Sequence, residues 1–127
     1  MSSTASTPYY HTTNAQTARD EIIRRLSAVG CTDVEFEDDR DAYTVTVRWE
    51  HNGRKCAITG SARGWAHHHL TSYPHTSRMR LPGSAYHKQV LDKGQVAVNS
   101  ILRDYLRCQL AAVETGAVSF EDVWRSE

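Results

Sequence analysis

The stretch YTVTVRWEHNGRKCAITG, residues 43–60, alternates apolar and polar side chains on both sides of an Asn-Gly pair. Tyr43, Val45, Val47 and Trp49 interleave with Thr44, Thr46 and Arg48, which is the period of a half-buried strand. Asn52-Gly53 suits a two-residue type I′ turn, because both residues tolerate positive φ. Closing the chain there pairs Glu50 with Lys55, Trp49 with Cys56 and Val47 with Ile58. Opposite charges then meet on one face and apolar side chains on the other. Register, turn chemistry and polarity agree, so a hairpin is expected.

The flanks extend that reading. Upstream, Val34 and Phe36 alternate with acids in DVEFEDD, as in a further strand. Before it, NAQTARDEIIRRLSAVG places Ala15, Ala18, Ile22, Leu26 and Val29 at helical spacing, with Asn14 or Thr13 as N-cap and Gly30 as the stop. Downstream, from about Ala85 to Thr115, Val98, Leu102, Leu106, Leu110 and Val113 form one stripe, widened by Ile101, Tyr105 and Cys108. Gly94 is expected to break or kink this helix, and Gly116 to end it. Ser119 and Asp122 suggest a capping box for a short last helix. The predicted fold is α+β in the order α-β-β-β-α-α, a three-stranded antiparallel sheet with helices packed on one face. Val45, Val47, Trp49, Cys56 and Ile58 should face Ile22, Leu26, Leu102 and Leu106.

At 127 residues, 39% hydrophobic and 24% charged, the chain has the composition of one soluble domain. No apolar run approaches a membrane span, and MSSTASTPYYHTTN lacks the regions of a signal peptide. Residues 1–13 are expected to be a flexible lead-in to a single domain at 14–127. Cys31, Cys56 and Cys108 are widely spaced with no CxxC, so reduced thiols in a cytoplasm are the natural reading.

A net charge of zero conceals segregation. Residues 31–50 hold seven acids against Arg40 and Arg48, while residues 51–91 hold no acid and six Arg or Lys. Within that second region, RGWAHHHLTSYPHTSRMRLPGSAYHK (63–88) interleaves cations, histidines and aromatics. Residues 61–84 show no clear period and read as a long basic, His-rich connection; connections of this length are usually functional or disordered.

Three chemistries compete for it. A charge run is often only a solvated face, but Arg54, Lys55, Arg63, Arg78, Arg80 and Lys88 could neutralise phosphates, with Trp65 and Tyr73 stacking on unpaired bases. This favours single-stranded nucleic acid as partner. A metal would need His67, His69 and His75 together, yet consecutive helical residues fan out by about 100° each, and no HxxxH, HExxH or nearby acid completes a shell. Paired-carboxylate catalysis from EFEDDRD is weaker still, since acids crowded beside a turn are usually solvated. No GxSxG, P-loop or GxGxxG is present, so neither an enzyme nor a cofactor is implied.

Residues 96–124, VAVNSILRDYLRCQLAAVETGAVSFEDVW, resemble the C-terminal helix of small uncharacterised proteins encoded by bacteriophages and prophages. The resemblance rests on Ala111, Val113, Glu114, Gly116, Ser119, Phe120, Glu121, Asp122 and Trp124, and extends to residues 18–60. These residues read as packing, with Gly116 as a helix stop and Phe120 and Trp124 as anchors. The chain departs from the family in stopping at RSE and in the His-rich stretch from Trp65 to His75. The resemblance implies a phage accessory protein in a bacterial cytoplasm, binding nucleic acid, or alternatively an inhibitor docking on a host protein. The α-β-β-β-α order also resembles that of double-stranded RNA-binding domains, but EDDRD stands where that family needs a basic loop.

Overall fold

The computed structural model describes residues 7–123. Helix α1 (Ala15–Ala28) leads into strands β1 (Thr32–Asp39), β2 (Thr44–His51) and β3 (Arg54–Ser61), followed by α2 (Ala62–Ser72), α3 (Gly83–Glu114) and α4 (Phe120–Val123). The sheet is antiparallel in the order β1-β2-β3, as the alternation of residues 34–58 predicts. The hairpin register is the expected one, with Glu50 opposite Lys55, Trp49 opposite Cys56 and Val47 opposite Ile58. Asn52 (φ 52°) and Gly53 (φ 78°) both take the left-handed conformation that a type I′ turn requires.

The acidic β1–β2 turn is built by one of its own carboxylates. Asp39 accepts from the backbone N–H of Asp41 and Ala42, each at 3.0 Å. This is the local use of Asp that makes it a turn former. Arg19 of α1 donates to Asp38 at 2.7 Å and also to Asn99 of α3 at 2.7 Å, so part of the acidic segment ties the helices to the sheet.

Asn14 caps α1, its Oδ1 accepting from Thr17 N–H at 3.1 Å. At the other end Gly30 N–H reaches Ser27 O and Cys31 N–H reaches Leu26 O, a Schellman closure. The apolar face of the sheet and both long helices bury one core: Ile22, Leu26, Val45, Val47, Trp49, Cys56, Leu102, Leu106 and Leu110 are nearly inaccessible. Ile58 is half-buried against it. Tyr105 and Cys108, expected to widen the core stripe of α3, instead lie exposed on its outer side. Burying a side chain the size of Trp49 or Leu106 is worth roughly 1.5–3 kcal/mol before cavity effects. The three cysteines are free, and no described helix is long and apolar enough to cross a membrane.

Two expectations fail for the same reason. Residues 61–84 are not one long connection: Ala62–Ser72 is helical, which leaves residues 73–82 as the link. Gly94 does not break α3, which runs through it as one helix of 32 residues. It is instead the point where α2 crosses. A Cβ built on Gly94 would lie 2.8 Å from Ala62 O and 3.1 Å from Trp65 Cε3. The absence of a side chain there lets α2 sit directly on α3.

Residues 7–13 are also not a loose lead-in. They lie as a strap across α2 and α3, with Tyr9 O and Thr7 O accepting turn hydrogen bonds from Thr12 and Tyr10. Phe120 of α4 stacks on His51 with ring centroids 3.5 Å apart. Trp124, expected beside it, lies outside the described residues.

Candidate functional site

Helix α2 forms because Ser61 caps it, with Oγ accepting from Gly64 N–H at 2.9 Å, and because Ala62, Trp65, Ala66 and His69 supply one buried face. That face carries a ladder of rings at four-residue spacing. Trp65 and His69 are parallel within 5° with centroids 5.4 Å apart, and Tyr73 lies 4.9 Å beyond His69. Tyr10 of the strap lies parallel to both, 5.1 Å from His69 and 6.5 Å from Trp65. From α3, Lys93 places its ammonium 4.4 Å from the Tyr10 centroid.

Side chains fasten the strap. The Trp65 indole N–H donates to Pro8 O at 2.9 Å, Thr7 Oγ1 is hydrogen-bonded to His69 Nδ1 at 2.7 Å, and the Tyr9 hydroxyl donates to Asp104. Burial, helped by neighbouring His68 and Lys93, lowers the His69 pKa, so the ring is neutral near pH 7. Asp104 is held below the ordinary carboxylate range chiefly by its hydrogen bond from Arg103.

Trp65 is therefore not the exposed stacking residue expected from the sequence, being only 8% accessible. Tyr73 remains 38% accessible at the start of the 73–82 link. Nor do the histidines converge. His67 and His68 face outward, His69 inward, and His75 Nε2 is tied to Leu81 O at 2.7 Å. Among the described residues, no group of three His, Cys, Asp or Glu side chains is placed to hold a metal ion.

The stretch without acids in sequence is not without acids in space. Arg54 at the hairpin tip lies 4.0 Å from Glu121, and Lys55 stands opposite Glu50. Arg63, in the first turn of α2 and so beyond the end of β3 remote from the tip, a strand about 23 Å long, lies over the Tyr43 ring and donates to Asp41 O. Lys88 pairs with Asp92 at 3.1 Å. The six predicted cations therefore do not form one surface. Arg78 and Arg80 are the two on the link. Like Lys55 and Arg63 they are exposed and make no ion pair among the described residues, and unlike Arg63 they contact neither a ring nor a carbonyl there.

Around that link the chain is ordered by its own polar groups. The Tyr86 hydroxyl donates to Tyr73 O at 2.6 Å and the His75 ring leans on Tyr86. The link opens into α3, whose first turn contains no acid. Lys93 and Tyr10 complete this corner, and neither stood out in the sequence: Lys93 sits on a helix between Asp92 and Gly94, and Tyr10 in a Ser/Thr-rich run.

Compared with known proteins, the chain matches no protein family, no curated protein and no solved structure.

Proposed function

We propose that this is a non-enzymatic accessory protein of a phage or mobile element that binds single-stranded nucleic acid through the α2–α3 corner. Arg78 and Arg80 are the phosphate contacts, with Lys88 beside them, and Tyr73 is the first stacking ring. The observation that carries this reading is the pair Arg78 and Arg80. Two exposed guanidinium groups without acidic partners among the described residues, on a link bracketed by aromatic rings, are poorly used by folding and well suited to phosphates. Arg54, Lys55 and Arg63 drop out, because their neighbours and positions spend them elsewhere.

The test is a titration with single-stranded oligonucleotides at two or more salt concentrations. Three or four phosphate contacts give a log–log slope of about −2 to −3, at about −0.7 per phosphate for single strands. Arg78→Ala and Arg80→Ala should each flatten the slope by about 0.7. Absence of binding at low salt would refute the reading. It would then favour the alternative, an inhibitor presenting the acids of β1 (Asp33, Glu35, Glu37), all exposed, to a host protein.

A further inference from the structure

We infer that the face of α2 beneath the strap is a second binding site, a slot for one planar nucleobase, and that Tyr10 fills it until nucleic acid displaces the strap. This rests on the single-strand reading above and extends it from the link to the ring ladder.

Tyr10 occupies the position that a stacked base would take. Its ring lies within 12° of parallel to both Trp65 and His69, and the Lys93 ammonium stands 4.4 Å from its centroid. An indole and an uncharged imidazole offer parallel ring faces against which any base can stack, and an ammonium nearby suits the phosphate that follows a base. Lifting the strap would also free two polar groups at the rim. The Trp65 N–H would lose Pro8 O, and His69 Nδ1 would lose Thr7 Oγ1. Both could then bond a base edge. The ladder continues through Tyr73 to the link that carries Arg78 and Arg80, so the slot and the proposed phosphate contacts lie along one stretch of chain.

The strap has the marks of a segment that can leave. Tyr10 is only half-buried, and Tyr9 holds φ 66°, in the left-handed region that non-glycine residues adopt at a cost. Tyr9 and Tyr10 pack against the core only as partly buried side chains, at the side where Trp65 belongs to it, whereas Ile22, Val47, Trp49 and Leu106 are almost wholly buried.

The full-length Tyr10→Ala variant, checked for folding by its melting curve, should be titrated with a single-stranded oligonucleotide and with an abasic strand of equal length. The base-bearing strand should bind about tenfold more tightly than to the parent protein, a gain within the range of one stacked base. The abasic strand should be unchanged. Thr7→Val preserves shape, keeps the Tyr10 ring and removes the bond to His69; it should move affinity the same way by less, and it decides the matter if Tyr10→Ala does not fold.

If the parent binds with a slope that depends on Arg78 and Arg80 while neither variant binds more tightly, the slot is wrong and the link reading stands. If the variants gain on the base-bearing strand but are indifferent to Arg78→Ala and Arg80→Ala, the slot stands and the link reading falls. An equal gain on the abasic strand would overturn the slot in favour of an uncovered phosphate contact. No binding by parent or variants at low salt would overturn both.

Discussion

Replacing Gly94 with Ala tests the crossing of α2 over α3, on which the placement of the ring ladder depends. In an ordinary helix interior the change stabilises by about 1 kcal/mol through helix propensity. Here the new methyl carbon would lie 2.8 Å from Ala62 O, a backbone atom, and 3.1 Å from the buried Trp65 ring. Neither neighbour is a flexible side-chain end, so α2 must retreat by a few tenths of an ångström from a packed interface. Overpacking of this kind costs typically about 1–3 kcal/mol. The propensity gain of about 1 kcal/mol offsets part or all of it, leaving a net loss of between about 0 and 2 kcal/mol and a fall in Tm of up to roughly 8 °C. Gly64→Ala is the internal control. It sits exposed on α2, and the nearest atoms to its new carbon would be Ser61 Oγ at 3.4 Å and Ser61 Cβ at 3.5 Å, ordinary contact distances. It should stabilise by up to about 0.5–1 kcal/mol. Urea denaturation with unchanged m-values would read both. A Gly94→Ala protein stabilised by the full propensity gain of about 1 kcal/mol, as the Gly64→Ala control should be, would refute the close crossing.

Trp49→Ala, at a side chain 2% accessible in the middle of the core, should cost about 3–5 kcal/mol in the same assay. Stability should also fall in mild acid through His69. Its folded pKa is lowered by burial and by His68 and Lys93, so the unfolded chain binds the proton more readily. This contribution is complete above the ordinary histidine pKa near ~6.5 and is lost as pH drops through the folded value. His69→Gln should remove that step, which melting curves at a series of pH values would read, while the carboxylate-linked losses at lower pH remain. In native protein a thiol alkylating reagent should label Cys108, which is exposed, and spare Cys31, whose thiol is buried and pushed up to about 11. Mass spectrometry showing native-state label on Cys31 would contradict its burial.

The sheet was legible because its determinants are local. Asn52-Gly53 fixes the turn, and the period of two on either side fixes the faces, with no information needed from elsewhere in the chain. Helix α2 was illegible because its buried face holds no large aliphatic side chain and one of its four members is a histidine. Its inward face is Ala62, Trp65, Ala66 and His69, and its cover comes from Gly94 and from a strap more than 50 residues upstream. A signal did exist. Ser61 stands in N-cap position, and Trp65, His69 and Tyr73 recur every four residues. The candidate site was misjudged for a related reason. Counting charges along residues 51–91 cannot reveal that Glu121 arrives beside Arg54, or that the turn at Asp41 receives Arg63. Tertiary contact redistributes charge that looks segregated in sequence.

Helix α3 is the common wall against which α1, α2 and the sheet all pack, and it is made after every one of them. As the chain is synthesised, Ile22, Leu26, Val45, Val47 and Trp49 emerge early, while Leu102, Leu106 and Leu110, which will cover them, do not yet exist. At ordinary synthesis rates the 32 residues of α3 take roughly two to six seconds to add. Throughout that interval the apolar face of the hairpin lacks Leu102, Leu106 and Leu110, which cover it in the finished fold. The core therefore closes only when the last long segment is made, so the fold is completed from its C-terminal side.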